Sequence, residues 1–217
     1  MLIGGIIAGI LLPWVLLAPT IPLLLILIKR NQASKTMVAL AMLCVVSILS
    51  NIFLLMASGS GLQNSFLRVS FLAELLFTGM LLKYCTEHLI LRYSIVASIL
   101  IFGSVYVTFI SLSPEGNIRV ISLIGVVLIF IISILVLFSK MNKLDQNIII
   151  NPDFWFTGGI FFHFGLLSLL LFTGKKITDL DYHSQDDFSI LYVIIFVIQF
   201  LFFAAGILVQ KPWNNKN

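Results

Sequence analysis

Apolar positions in this chain neither alternate with polar ones, as in a half-buried strand, nor recur every third or fourth residue, as in a surface helix. They run on unbroken for about twenty residues at a time. Seven such runs stand at roughly 3–28, 36–57, 66–84, 91–111, 118–138, 154–173 and 188–209. About twenty apolar residues wound as a helix cross the hydrocarbon core of a bilayer. In lipid a lone strand would leave its backbone groups unpaired, so each run is predicted to be helical. Stretches such as "IGVVLIFIISILVLF" would suggest strands in water. Their length and their lack of polar alternation argue against a membrane barrel. The predicted fold is all-α: a polytopic membrane protein whose seven-transmembrane-helix bundle occupies residues 1–217 as one domain.

Composition agrees with this pattern. The chain is 60% hydrophobic and 10% charged, against about 25% charged residues in an ordinary soluble domain. Polar surface is too scarce to cover a globule in water, so membrane lipids are the expected surroundings.

The net charge of +4 does not indicate nucleic-acid binding, because the cations form no patch and stand at the ends of apolar runs. Lys29, Arg30, Lys35, Lys83, Arg92, Lys140, Lys143, Lys211 and Lys216 fall on one side. Arg68, Arg119, Lys175 and Lys176 fall on the other. The positive-inside rule then places the N-terminus outside and the C-terminus in the cytoplasm. The first run carries its Lys29-Arg30 pair after the apolar stretch, which is not the layout of a cleavable signal peptide.

The first run, "GILLPWVLLAPTIPLLLILIKR", contains Pro13, Pro19 and Pro22. Each proline removes a donor and crowds the carbonyl four residues back, so a kink is expected there. Two readings stand: a kink tolerated by neighbouring helices, or an opened helix whose freed carbonyls line a cavity. Gly5 and Gly9 share a GxxxG spacing suited to close helix contact. No run repeats between the first three segments and the last three, which gives no support to a duplicated carrier.

Ionisable residues at membrane depth usually face a protein interior or a water-filled space. Here they are Glu74 in "FLAELLFTG" and His163 in "FFHFG", joined by the polar Asn51, Gln199, Tyr106 and Tyr192. At about 1.5 Å per residue these six lie between about 6 and 16 Å below the outer helix ends. They are expected to share one polar pocket in the outer half of the membrane. Glu74 and His163 would form its ionisable pair, a proton site or ligand anchor. The competing reading has each of them simply bonded to a neighbouring helix.

Other features change less. Trp155 and Tyr84 suit the membrane interface, and Trp14 could face a cavity. Asp179, Asp181, His183, Asp186 and Asp187 read as a solvated outer loop without the spacing of a metal site. Glu87 and His88 read as facing water or headgroups. Cys44 and Cys85 fall at different depths and read as small buried side chains. No Walker loop, GxGxxG, GxSxG or HExxH is present, so no cofactor is implied. The seventh run has no lysine for a retinal Schiff base.

In "ELLFTGMLLKY" and "NPDFWFTGGIFFHFGLLSLLLF" the chain resembles a group of small bacterial seven-helix membrane proteins, similar to the membrane sensor regions of some histidine kinases. The resemblance implies interest in Glu74, Phe154, Trp155 and Gly159, and a place in the bacterial inner membrane. Three functions follow. The first is a sensor or receptor-like module with an unknown small-molecule ligand and a cytoplasmic or membrane signalling partner. The second is a small-molecule or proton-coupled transporter. The third, a lipid-modifying enzyme, is disfavoured because a single carboxylate lies inside a span.

Overall fold

A computed structural model of the protein describes residues 2–29, 34–56, 63–112, 118–141, 148–177 and 183–210. These form seven α-helices: α1 (Leu2–Ile28), α2 (Lys35–Met56), α3 (Gln63–Cys85), α4 (Leu89–Leu112), α5 (Ile118–Met141), α6 (Pro152–Ile177) and α7 (His183–Val209), with a short 3-10 turn at Ile148–Ile150 before α6. Every predicted segment is a helix. Several run past the hydropathy limits: α6 continues to Ile177, and α7 starts at His183 instead of residue 188. Backbone hydrogen bonding does not stop where side chains turn polar, so a helix can cross the interface before it ends.

Six of these helices, α2 to α7, are long and apolar enough to cross a membrane, and Pro13–Ile28 of α1 forms a shorter apolar stretch. Large apolar side chains such as Leu24, Ile101, Phe138 and Leu201 are exposed on the outside of the bundle. An aqueous surface would not carry so much exposed hydrocarbon, and lipid accepts it without cost. The chain is an integral membrane helical bundle.

Packing sets a simple plan. Helix α1 lies against α2 and α7, α2 against α3, α3 against α6, and α6 against α7. These pairs close a ring of five helices. Helices α4 and α5 stand outside it, both on α3, with α5 also on α6. Among the described residues α3 and α7 make no extensive contact across the ring.

Glycine makes the α6–α7 approach possible. A Cβ on Gly159 would meet Phe202 Cβ at 2.9 Å and the Gln199 carbonyl oxygen at 3.0 Å. One on Gly206 would meet the Phe156 ring at 2.5 Å and the Pro152 carbonyl oxygen at 3.0 Å. Small residues let membrane helices approach until dispersion contacts are made along the backbone.

The prolines of α1 do not break it, since the helix runs through all three. Pro19 and Pro22 are buried and Pro13 is exposed. Pro19 cannot donate to the carbonyl of Val15, and Asn51 of α2 does so in its place, Nδ2 to oxygen at 3.3 Å. A side chain of the neighbouring helix thus satisfies the carbonyl that Pro19 leaves without its helical donor.

One end of the bundle is tied by polar contacts. Lys29 Nζ donates to the carbonyls of Ile207, Leu208 and Gln210, at 2.7, 3.3 and 3.3 Å. It thereby caps the C-terminus of α7 with a cation from the end of α1. Asn151 Oδ1 accepts from the Asp153 amide at 2.9 Å. The sequence Asn151-Pro152-Asp153 is thus an N-cap, a first-turn proline and a first-turn acid. Asp153 also accepts from Lys140 Nζ at 2.9 Å. Lys140 is 7% exposed and has Glu87 within 3.7 Å. Glu87, expected to face water or headgroups, is also within reach of a buried cation.

Candidate functional site

Helical spacing decides which polar residues turn inward. On α3, Glu74 is in phase with Thr78, Leu81 and Cys85, all buried. The α4 and α5 contacts of α3 lie on a different face, where Leu72 meets Gly103 and Leu75 meets Gly125. On α2, Ser47 shares a stripe with Leu40, Leu43 and Cys44 and is itself buried. The two stripes meet where Ser47 Oγ donates to Glu74 Oε1 at 3.3 Å. Among the described residues this is the hydrogen bond Glu74 makes, and no Lys or Arg pairs with it.

Across the ring, Tyr192 of α7 is in phase with Phe196, Gln199 and Phe203, which are 3%, 5% and 0% exposed. Tyr192 itself keeps 39% of its surface. The Tyr192 ring lies 6.4 Å from the His163 ring and 6.3 Å from the Phe196 ring, centroid to centroid.

His163 of α6 is 5% exposed, and its Nδ1 has no hydrogen-bond partner. The imidazole borders the Ile195 backbone and packs edge-on against Phe164, Tyr192 and Phe196. A buried nitrogen left unpaired costs about 1–3 kcal/mol.

The six candidates are thus sorted. Glu74 meets Ser47 between α3 and α2, and His163 meets Tyr192 between α6 and α7. Asn51 stands one helical turn from Ser47 on the same face, but its amide is engaged with Val15 of α1. Gln199 is buried seven residues along α7 from Tyr192, roughly 10 Å away along the axis, in the stretch where α7 packs on Gly159. Tyr106 stands apart: its hydroxyl donates to the Arg68 carbonyl at 3.3 Å, and its ring packs on Phe71 and Phe102 between α3 and α4. Glu74 and His163 are not bonded to each other through Nδ1, which is unpaired.

Ser47 escaped the sequence reading because serine is common in membrane helices and signals nothing alone. Its signal was the four-residue spacing to Asn51, which puts both on one face. Trp14 is 56% exposed on α1. Cys44 and Cys85 are buried free thiols. Among the described residues no three His, Cys, Asp or Glu side chains gather as metal ligands. Asp179 and Asp181, and the side chains of His183, Asp186 and Asp187, lie outside the described residues.

No family model, curated protein or solved structure matches the chain.

Proposed function

We propose that this protein is a seven-span sensor or receptor-like module of the bacterial inner membrane, with a small-molecule pocket in the outer half of its helix ring. What supports this reading is a pair of polar features buried between helices: the Glu74 carboxyl bonded to Ser47, and His163 Nδ1, without a hydrogen-bond partner, beside the Tyr192 ring. Polar groups gathered between membrane helices without satisfying one another are the mark of a ligand site. The Lys29 bridge, joining the C-terminal ends of α1 and α7, supports an odd number of crossings and termini on opposite sides. The cationic inner face is where a cytoplasmic or membrane signalling partner would dock.

The transporter reading needs a path to both faces. It is weakened at α1, where the carbonyl freed by Pro19 is occupied by Asn51 instead of lining an open passage. The enzyme reading still has Glu74 as its single carboxylate in the pocket.

The test is access. In full-length protein with Cys44 and Cys85 replaced by alanine, Ser47→Cys is labelled by an impermeant maleimide from either side of reconstituted vesicles. Labelling from the outer side alone supports the receptor. Labelling from both sides makes the protein a carrier, and labelling from neither removes the pocket.

A further inference from the structure

Several helical hydroxyls of this protein turn back to their own helix. Ser104, Thr108, Ser111, Thr157 and Thr173 each donate to the carbonyl four residues back, at 2.8 or 2.9 Å. That bond satisfies the hydroxyl without help from a neighbouring helix. Ser47 instead donates across the α2–α3 contact, to Glu74 Oε1 at 3.3 Å. The group it meets is a carboxyl without a cation, since among the described residues no Lys or Arg pairs with Glu74. Asp153, the other acid within a described span, is met by the Lys140 ammonium at 2.9 Å.

A carboxyl at membrane depth needs a counter-charge or a proton. Of the helices packed against its face, α2 carries Lys35 at its start and the buried thiol of Cys44. Helix α6 carries Asp153, which Lys140 engages, and His163, which packs among aromatic rings. Tyr192 stands on α7, across the ring. Helices α4 and α5, with Arg92, Tyr106 and Lys140, pack on another face of α3. On α3 itself Arg68 and Lys83 lie more than one turn away. Among the described residues none of these groups bonds to Glu74, whose hydrogen bond is the one from Ser47. A proton is what remains.

A serine hydroxyl both donates and accepts, and a carboxyl becomes a donor once it is protonated. We propose that Glu74 and Ser47 form a proton-binding site that exchanges its proton with water. On uptake an O–H bond forms at Oε1. Oε1 then donates to Ser47 Oγ, and the Ser47 hydrogen turns to the Leu43 carbonyl, the bond that the other hydroxyls already make. On release the Oε1–H bond breaks, the proton passes to water, and Ser47 donates to Oε1 again. The α2–α3 hydrogen bond survives in both states and only its direction reverses. The site goes beyond the small-molecule reading and stands apart from it, because a proton needs no cavity.

The experiment is infrared spectroscopy of the full chain in nanodiscs, titrated from about pH 4 to about pH 9. The signal is the carbonyl stretch of a protonated carboxylic acid, which a carboxylate lacks. The parent spectrum minus that of Glu74→Gln is expected to hold one such band, lost as the pH rises through this range. Ser47→Ala is expected to shift the band to higher wavenumber, as a lost hydrogen bond does, and Ser47→Thr to return it. Should Glu74→Gln fail to fold, the difference between the parent and Ser47→Ala carries the test, because both keep the carboxyl.

No acid band at any pH, or a band constant throughout, overturns the proposal. A titrating band that Ser47→Ala leaves unmoved overturns the pairing. Loss of the band on adding sodium or potassium at constant pH makes the site one for inorganic cations and overturns it as well. Labelling of Ser47→Cys separates this failure from that of the pocket. A reactive cysteine with no titrating band removes the proton site alone, and an unreactive cysteine with a titrating band removes the pocket alone.

Discussion

Asn51 and Val15 share a hydrogen bond that α1 cannot make for itself: the residue four positions after Val15 is Pro19, and a side chain of α2 supplies the missing donor at 3.3 Å. A helix can keep a proline within lipid when a neighbouring helix satisfies the carbonyl the proline abandons. The α1–α2 contact and the proline are therefore one unit.

That unit makes a prediction about coupling. Asn51→Leu should lower stability by about 0.6–1.7 kcal/mol, the range of interhelical hydrogen bonds in membranes. Pro19→Ala returns an amide to Val15. In that background Asn51→Leu should cost much less. Thermal unfolding of the two single variants and the double variant measures this, and strictly additive losses would contradict it.

The Lys140–Asp153 pair joins the end of α5 to the start of α6. Among the described residues, Asp153→Asn leaves an ammonium that is 7% exposed with only the more distant Glu87 carboxylate near it. The loss should be about 2–3 kcal/mol, below that of a wholly buried pair because Asp153 is itself 24% exposed. Removing both charges, as Lys140→Met with Asp153→Leu, should recover most of it. A double variant as unstable as the single one would show that the pair is not the source.

Gly159→Ala and Gly206→Ala should each cost about 1–3 kcal/mol, since the added methyl meets backbone oxygens as well as side chains and cannot be absorbed by a rotamer change. Gly103→Ala is the internal control. Its Cβ would sit 3.9 Å from Leu72 Cδ1, in ordinary contact, and gains helix propensity. Thermal unfolding in detergent should show the first two below the parent and the third at or above it.

Lys29→Met removes the cap on the last turn of α7 while retaining the alkyl stem. The expected loss is about 1 kcal/mol, confined to that turn. Hydrogen exchange at residues 205–210 should quicken about fivefold with little change elsewhere. Uniform quickening across the bundle would mean that Lys29 holds more than a helix end.

Much of the architecture was legible beforehand because lipid leaves the backbone so few choices. An apolar run of sufficient length has to be helical there, and all seven runs are. The candidate pocket was legible only in part. Glu74 and His163 were noticed for their cost in lipid, but hydropathy carries no azimuth between helices. It could not tell that Tyr106 turns to Arg68 on the far side of α3, or that Ser47 is what Glu74 meets. Lys140 was legible only as a topology marker, since sequence separation hides that the start of α6 brings Asp153 to it.

By itself, then, the order of residues determined the solvent, the helices, the positions of the prolines and the short roster of side chains too polar for lipid. Each of these depends on a group and its medium alone. Which of those side chains meet was decided by tertiary structure: glycine contacts set how closely α6 and α7 lie, and the five-helix ring set which faces look at one another. Pairing energies in a membrane depend on distance and direction, and both are fixed only when the helices have packed.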